Sequence, residues 1–362
     1  MQELENVIKE LENNNVMMLR YDIESDIDMY SQDLIVVKDI FRKYGFIVTA
    51  STNTFTEAIK YIQNRIIIVE VANTLLGTNR LNLNLKDIYI SEYIKNPIKN
   101  DIWLKSIRYI VSLRNDKKSN DFFKNNLKEL EENNFYIKRL KENNFNNDIN
   151  IDLLLNNKFK FILKYMGTLK LLSLIKDKIL FHLKSLITKK TIAIVGVDGA
   201  GKTTIIEVLK KYNTKSVYMG FKEFKFDNFY KRISGKNIFF TFLVHFMVFF
   251  ENWYKYLKSI LFRFQGYDVI FDRYPKIEYL ISENKKLHIL HSIFYKFFFP
   301  SATKEIFIKG NPLEIYKRKQ EMNIDEIKIE QKKLEDIVEY IVLNKDGEFE
   351  KTINSIFRII NE

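Results

Sequence analysis

A short segment near the middle of the chain, residues 196–204, carries the residues best suited to chemistry, including three glycines, one lysine and two threonines. The candidate phosphate contacts are Gly196, Asp198, Gly199, Ala200, Gly201, Lys202, Thr203 and Thr204. The segment matches the spacing G-x-x-x-x-G-K-[ST] at every fixed position. Its glycines let backbone N–H groups surround phosphate oxygens, because no Cβ stands in the way. The segment therefore predicts a phosphate-binding loop.

The residues on either side of this loop supply the elements that must position it. An apolar, strand-like run, Thr191 to Val195, precedes the loop, and a helix-like run, Thr203 to Tyr212, follows it. A helix that begins here points the positive end of its dipole at the bound anion. Lys202 would reach the outer phosphates, and the Thr203 hydroxyl would bind Mg²⁺. This context predicts binding of a nucleoside triphosphate.

A second candidate element follows the apolar run Tyr267 to Phe271, which ends in Asp272 and Arg273. A carboxylate at the end of a strand beside a phosphate loop is placed to hold Mg²⁺ or its water ligands. The neighbouring arginine could hold a substrate phosphate through a forked, charge-assisted pair. The alternative is a local Asp–Arg pair at a strand end without a catalytic role.

A third candidate element is a short basic helix that begins at Asn311 and Pro312. Asn311 suits an N-cap, and Pro312 suits the first helical position. The run Lys317-Arg318-Lys319 then leads into a polar stretch, residues 321–333. We interpret the run as a cationic lid that closes over transferring phosphoryl oxygens. The alternative is a solvated basic helix.

The C-terminal half alternates short apolar runs with helix-like segments. The strand-like runs are Thr191–Val195, Ser216–Met219, Tyr267–Phe271, Glu305–Ile308 and Ile341–Asn344. Alternation of this kind predicts an α/β fold, a parallel sheet flanked by helices on both faces. Ligands of such sheets bind at the carboxyl ends of the strands, where the glycine-rich loop lies.

These elements, in this order, resemble the thymidylate kinase family of P-loop nucleoside monophosphate kinases, over about Thr191 to Glu362. The loop G-V-D-G-A-G-K-T-T and the triplet D-R-Y at residues 272–274 carry the resemblance. It implies ATP-dependent phosphoryl transfer with Mg²⁺ to a phosphorylated acceptor. The catalytic residues that it implies are Lys202 and Thr203 for ATP and Mg²⁺, Asp198 near the acceptor sugar, Asp272 and Arg273 for the acceptor phosphate and metal, and Arg318 as the lid arginine.

Two departures from the family pattern concern the acceptor. Residues 220–224 read G-F-K-E-F where the family has an Arg-Glu-Pro-Gly type segment, and residues 275–279 read P-K-I-E-Y where the family reads thymine. The donor site is thus retained and the thymine-reading site is not, so the acceptor is another nucleotide or a phosphorylated sugar. The middle of the phosphate loop also has no arginine, which makes a lid cation such as Arg318 necessary.

The N-terminal half carries a second acidic pattern. Asp26 and Asp28 are separated by one residue, so on a strand they point to the same side, and Glu70 in the apolar run 65–71 could supply a third acid. Two carboxylates on one face suit Mg²⁺ ions bound to a triphosphate. The pattern resembles the D-h-D core of the nucleotidyltransferase superfamily, an α+β fold, over about residues 1–148. The Gly-Ser that precedes this core in that superfamily is missing, and a degenerate regulatory domain is the alternative.

Composition limits the remaining choices. The chain has 362 residues, a net charge of +12 and no cysteine, which excludes disulfides and fits the reducing cytoplasm. We predict a nucleotidyltransferase-like domain at 1–150, a basic amphipathic linker helix at 151–190 and the kinase-like domain at 191–362.

The lysine-rich residues 156–190 could instead lie on an anionic membrane, but Gly167 and Thr168 interrupt the helical pattern, which favours a linker. Nucleic acid is not an expected partner. A homodimer remains open, as does a nucleotide-binding switch without turnover.

Overall fold

The computed structural model describes residues 2–20, 27–52, 55–73, 125, 158–220, 238–277 and 294–362. It divides into two compact units. The N-terminal unit consists of Met1–Ile59 and Ile67–Leu180, and the C-terminal unit consists of Lys60–Ile66 and Phe181–Glu362. The domain boundary predicted near residue 150 lies outside the described residues.

The N-terminal unit contains a mixed five-stranded sheet with strand order β1-β2-β5-β4-β3. Its elements are α1 (Gln2–Asn13), β1 (Met17–Arg20), β2 (Ile27–Tyr30), α2 (Leu34–Lys43), β3 (Ile47–Ser51), β4 (Phe55–Ile62) and β5 (Arg65–Ala72), except that the end of β4 and the start of β5 fall in the segment Lys60–Ile66 of the C-terminal unit. Strands β2 and β5 run parallel, while β1 pairs with β2, and β3 with β4, in antiparallel fashion. Helix α1 buries Leu4, Val7 and Leu11, which share one helical face. Helix α2 begins after Asp33, whose carboxylate accepts from the first backbone N–H groups.

The basic segment that follows forms one continuous helix, α3 (Lys158–Thr188). The expected interruption at Gly167 and Thr168 is wrong, because both residues lie inside the helix. A glycine costs a helix only about 1 kcal/mol relative to alanine, and a helix of 31 residues tolerates that cost. Apolar Leu169 and Leu172 are exposed along α3, as is basic Lys176. Its role as a linker or as a membrane-surface element stays a prediction.

The C-terminal unit contains a five-stranded sheet whose neighbouring strands all run parallel, with order β10-β9-β6-β8-β7. Its strands are β6 (Thr191–Val195), β7 (Thr214–Tyr218), β8 (Asp268–Asp272), β9 (Lys304–Gly310) and β10 (Tyr340–Asn344). The predicted parallel sheet is confirmed, with strand ends that differ by one or two residues. Every residue of the central strand β6 is buried, as expected for a parallel strand covered on both faces. This sheet fits a P-loop fold.

Helices cover this sheet and bring the candidate residues to its carboxyl edge. They are α4 (Lys202–Leu209), α5 (Ile238–Phe264), α6 (Pro312–Arg318), α7 (Ile324–Glu335) and α8 (Phe349–Asn361). Helix α8 packs on β9 and β10 and buries Ile353, Ile356, Phe357 and Ile360. Helix α7 begins with a capping box formed by Asn323 and Glu326.

The apolar run from Ile238 to Phe250 forms the first half of α5. A long apolar run of this kind predicts a buried helix, but this prediction is wrong at the outer face, because Phe246 and Phe250 are 41% and 54% exposed. Val248, on the opposite face, and Phe249, beside the exposed pair, are buried. Among the helices of the described ranges, none combines the length and apolar character needed to cross a membrane.

Candidate functional site

The glycine-rich loop connects the carboxyl end of β6 to the first turn of α4, as the sequence predicts. Two of its glycines lie where a side chain would collide with a neighbouring strand. A Cβ on Gly196 would come within 2.8 Å of the Ile308 carbonyl oxygen on β9. A Cβ on Gly201, whose φ is +92°, would come within 2.5 Å of Asn344 Nδ2 on β10. Glycine is therefore required at Gly196 by the close approach of a backbone carbonyl, and at Gly201 by its left-handed φ and the nearby Asn344 side chain.

Lys202, the first residue of α4, lies beneath this loop and is only 7% exposed. Its Nζ donates to the Gly196 carbonyl at 2.6 Å and to the Val197 carbonyl at 3.0 Å, and lies 3.3 Å from Asp198 Oδ1. A buried ammonium needs hydrogen-bond acceptors or an anion to compensate for lost hydration. The loop thus holds a cation beside the positive end of α4, which is the arrangement that an anionic ligand requires.

Asp198, in the middle of the loop, is the acceptor that joins three cations. Besides Lys202, its carboxylate accepts from Arg273 Nη2 at 2.5 Å and from Lys319 Nζ at 3.2 Å. Burial raises the pKa of Asp198, but the charges of Lys202 and Arg273 outweigh burial, so the pKa lies well below its ordinary value. Asp198 is therefore ionised at neutral pH and holds these side chains near the loop.

Arg273 follows β8 with a backbone conformation that is uncommon for a residue other than glycine. Its φ is +66°, in the left-handed region that costs an L-residue about 1–2 kcal/mol. The Arg273 backbone N–H donates to the Ile194 carbonyl of β6 at 3.2 Å, which anchors the turn. The turn directs the guanidinium to Asp198. Strain at a residue that faces a ligand loop is typical of functional sites.

A cavity of about 440 Å³ opens beside the loop and is lined in part by Thr203 and Asp272. Burial raises the pKa of Asp272, despite the lowering effect of Lys202 and Arg273. Thr203 and Asp272 fit a Mg²⁺ site, because Mg²⁺ typically takes one or two carboxylates together with waters and substrate phosphates. Further along, the same cavity is lined by charged residues that include Lys210, Lys255, Lys258 and Glu251.

The basic run after Asn311 lies against the phosphate loop. The predicted N-cap is confirmed: the Asn311 side chain accepts from Leu313 N, and Pro312 opens α6. Arg318 Nη1 donates to the Gly199 carbonyl at 3.3 Å, and its Nη2 also pairs with Asp346. The predicted lid arginine therefore contacts the loop.

Three further residues join the site without having been named individually as site residues from the sequence. Lys319 belongs to the basic run but had no separate role, and it contacts Asp198. Asn344, the last residue of β10, donates to the Ala200 carbonyl at 2.8 Å. Glu330 on α7 lies close enough to the loop for Lys202 and Asp198 to affect its pKa, which burial raises. Lys319 had a sequence signal as a member of the basic run, and Asn344 had one because it ends an apolar strand at the ligand-binding edge of a parallel sheet.

In the N-terminal unit, two of the three predicted metal ligands are described. Asp28 on β2 and Glu70 on β5 are register partners in neighbouring parallel strands, so their side chains leave the sheet on the same face. Asp26 lies outside the described residues. No group of three acidic or histidine side chains able to hold a metal occurs within the described ranges. The metal site and the nucleotidyltransferase resemblance stay predictions.

Among known proteins, the chain shows distant likeness only to solved structures. No protein-family model matches the chain, and no curated protein matches it. A solved structure of thymidylate kinase from Candida albicans is similar to part of it, with a TM-score of 0.37 and 16% sequence identity. The similar region covers 47% of this chain and 89% of that one. A likeness this weak assigns no role to any residue of the site.

Replacing Asp198 with asparagine is expected to destabilise the ligand-free C-terminal unit by about 1–3 kcal/mol at pH 7, because three cations lose their common charged acceptor. The pKa of this carboxyl is depressed in the folded state, so its stabilisation is present above its ordinary pKa of 3.8 and is lost as pH falls below it. Urea unfolding of wild type and variant between pH 7 and pH 3 measures this difference. A difference that stays constant down to pH 3 would contradict the ion cluster.

Proposed function

We propose that the C-terminal unit transfers the γ-phosphoryl group of ATP, with Mg²⁺, to a nucleoside monophosphate or another phosphorylated acceptor. The observation that carries this proposal is the buried Lys202 ammonium, held by two loop carbonyls at the start of α4. A cation so placed, beside backbone N–H groups and a helix dipole, favours bound phosphates. The adjoining cavity, which Thr203 and Asp272 also line, offers space for an acceptor next to the same phosphates.

The reaction itself exchanges one P–O bond for another and involves no redox step. An oxygen of the acceptor's phosphate forms a bond to the γ-phosphorus, the bond from that phosphorus to the bridging oxygen breaks, and ADP leaves. Lys202, Arg273 and the lid cations Arg318 and Lys319 would neutralise the phosphoryl oxygens. The Thr203 hydroxyl and Asp272 would hold Mg²⁺, which adds further charge neutralisation. Positioning and electrostatics account for most of such catalysis.

The cavity supports a small, phosphorylated acceptor rather than a macromolecule. Its volume of about 440 Å³ lies at the lower end of the range of about 300–1,000 Å³ that is usual for small-molecule sites. Lysines just after α4 and on α5 line it together with Tyr218 and Tyr254, so it combines positive charge with aromatic surface. A nucleotide or a phosphorylated sugar has matching chemistry.

A test of the proposal measures ADP release from Mg·ATP across a panel of nucleoside monophosphates and sugar phosphates. Release that depends on one acceptor, and that disappears in Lys202→Ala, would support a kinase and identify its acceptor. ATP binding without acceptor-dependent ADP release for any member of the panel would oppose it and favour a nucleotide-binding switch.

Lys255, which lines the cavity from α5, is expected to contribute to acceptor binding. We expect Lys255→Gln to raise the KM for the acceptor about tenfold, since a charged hydrogen bond contributes about 1.5–3 kcal/mol. The KM for ATP should change by less than about twofold, because phosphate contacts of the loop remain intact. Steady-state kinetics with each substrate varied in turn provides both values. Equal increases in the two KM values would contradict an acceptor role.

A second candidate function is nucleotidyl transfer by the N-terminal unit, with the C-terminal unit in support. The adjacency of Asp28 and Glu70 on parallel strands favours it, because paired carboxylates suit Mg²⁺-dependent triphosphate chemistry. It predicts that activity is lost in Asp26→Ala and Asp28→Ala but persists in Lys202→Ala. Release of pyrophosphate, rather than ADP, would identify this reaction.

A further inference from the structure

The carbonyl groups of the phosphate loop are held by side-chain donors from outside the loop as well as from within it. Lys202 binds the carbonyls of Gly196 and Val197. Arg318 binds the Gly199 carbonyl, and Asn344 Nδ2 donates to the Ala200 carbonyl at 2.8 Å. The loop conformation therefore depends on contacts that begin more than a hundred residues away in sequence.

The contact with Asn344 fixes the orientation of one particular peptide. In a trans peptide the C=O and the following N–H point in opposite directions, so a carbonyl held by β10 turns the Gly201 N–H away from β10. The neighbouring Ala200 N–H is already used, since it donates to the Val197 carbonyl at 3.1 Å. The Gly201 N–H is thus turned away from β10, where a phosphate held in the loop would accept a hydrogen bond from it.

Asn344 and Gly201 are also complementary in shape. The amide nitrogen of Asn344 lies 2.5 Å from the position that a Cβ on Gly201 would occupy. Asn344 is only 8% exposed, so water does not readily replace its hydrogen bond. A buried carbonyl that has lost its hydrogen-bond donor costs about 1–3 kcal/mol of stability. Without the Asn344 amide, the Ala200–Gly201 peptide would therefore tend to rotate so that its carbonyl finds another donor.

We propose that Asn344 is a positioning residue that fixes the Ala200–Gly201 peptide for phosphate binding. The proposal rests on the proposed ATP-binding function of the loop and adds to it a residue on a different strand. Asn344 acts through the backbone, so it sets the affinity for the phosphate chain of the nucleotide.

The experiment compares Asn344→Asp and Asn344→Leu with wild type in the full chain. Calorimetry measures the Kd for Mg·ATP and, separately, for inorganic tripolyphosphate, which has no base or ribose. We expect both variants to bind both probes about tenfold more weakly, as for the loss of one oriented donor to a charged ligand. The aspartate side chain has almost the same shape as asparagine. The Kd values can therefore still be measured with Asn344→Asp if Asn344→Leu folds poorly.

Gln331 provides a matched control. It is another buried side-chain amide, 3% exposed, and its Nε2 donates at 2.9 Å to the Gly310 carbonyl, which lies outside the phosphate loop. Gln331→Leu should lower the melting temperature by about as much as the Asn344 variants, because it also leaves a buried carbonyl without its donor. Its Kd for each probe should stay within about twofold of wild type, because it orients no N–H group towards the phosphate.

Each outcome decides the proposal. Weaker binding of both probes in the Asn344 variants alone supports it. Unchanged affinity in those variants overturns it, and so does weaker binding of ATP with unchanged tripolyphosphate affinity, which would indicate a contact with the nucleoside. Equal weakening in Gln331→Leu overturns it in favour of general destabilisation. Failure of the wild type to bind either probe instead overturns the proposed function itself, and the inference with it.

Discussion

Lys202→Ala is expected to lower acceptor-dependent ATP turnover by about a thousandfold, the scale seen when one preorganised charge donor to a transition state is removed. The lysine is the cation most deeply buried at the loop, and its Nζ lies between the Gly196 carbonyl and Asp198. Alanine supplies neither charge nor hydrogen bonds to the outer phosphates. Most of the loss should appear in kcat, because charge on the phosphoryl oxygens is redistributed in the transition state.

The variant should remain folded, because Asp198 keeps its contacts with Arg273 and Lys319. Lys211→Ala is a matched control, since Lys211 is an exposed lysine just beyond the end of α4; its turnover should stay within about twofold of wild type. Single-turnover kinetics and a melting curve for both variants separate chemistry from folding. Full turnover in Lys202→Ala would move the chemistry away from this loop and towards the N-terminal unit.

The sequence predicts those parts of the fold and site that depend on local patterns. Strand β6 is a continuous apolar run and was located at its correct residues, since a buried parallel strand needs apolar side chains on both faces. The N-cap at Asn311 was likewise predicted from two neighbouring residues. The phosphate loop could be recognised because its glycines recur at a fixed spacing, which the close packing of such loops requires.

The contacts that complete the site depend on tertiary packing and could not be predicted in this way. Asn344 meets Ala200 across 144 positions of the chain, and only the order of strands in the sheet brings them together. The left-handed backbone conformation of Arg273 could not be predicted from its residue type, because arginine has no preference for that conformation. The exposed face of α5 was missed for a related reason: an apolar run does not show which of its residues another element covers.

Asp272→Asn is expected to separate stability from activity, because burial raises the pKa of Asp272 above its ordinary value of 3.8. A raised pKa means that the folded state disfavours the ionised form. Stability is therefore lower at neutral pH than below the ordinary pKa, and it falls as pH rises through the folded pKa. Asparagine removes this cost, so the ligand-free variant should be more stable at pH 7 by about 1 kcal/mol. The difference between the two proteins should disappear as pH falls below the ordinary pKa of 3.8, where the Asp272 carboxyl is protonated in both the folded and the unfolded state.

Turnover should change in the opposite direction, because an amide replaces a charged ligand beside Thr203. We expect kcat to fall by about a hundredfold to a thousandfold and the Mg²⁺ concentration for half-maximal rate to rise. Glu305→Gln is the matched control: burial also raises the pKa of Glu305, but this residue lies near the amino end of β9, at the opposite end of the strand from the loop. It should gain stability without losing turnover. Loss of turnover in both variants would mean that neutralising any buried carboxylate of these strands disturbs the sheet. Loss in Asp272→Asn alone would assign the Asp272 carboxylate to the metal and phosphate chemistry.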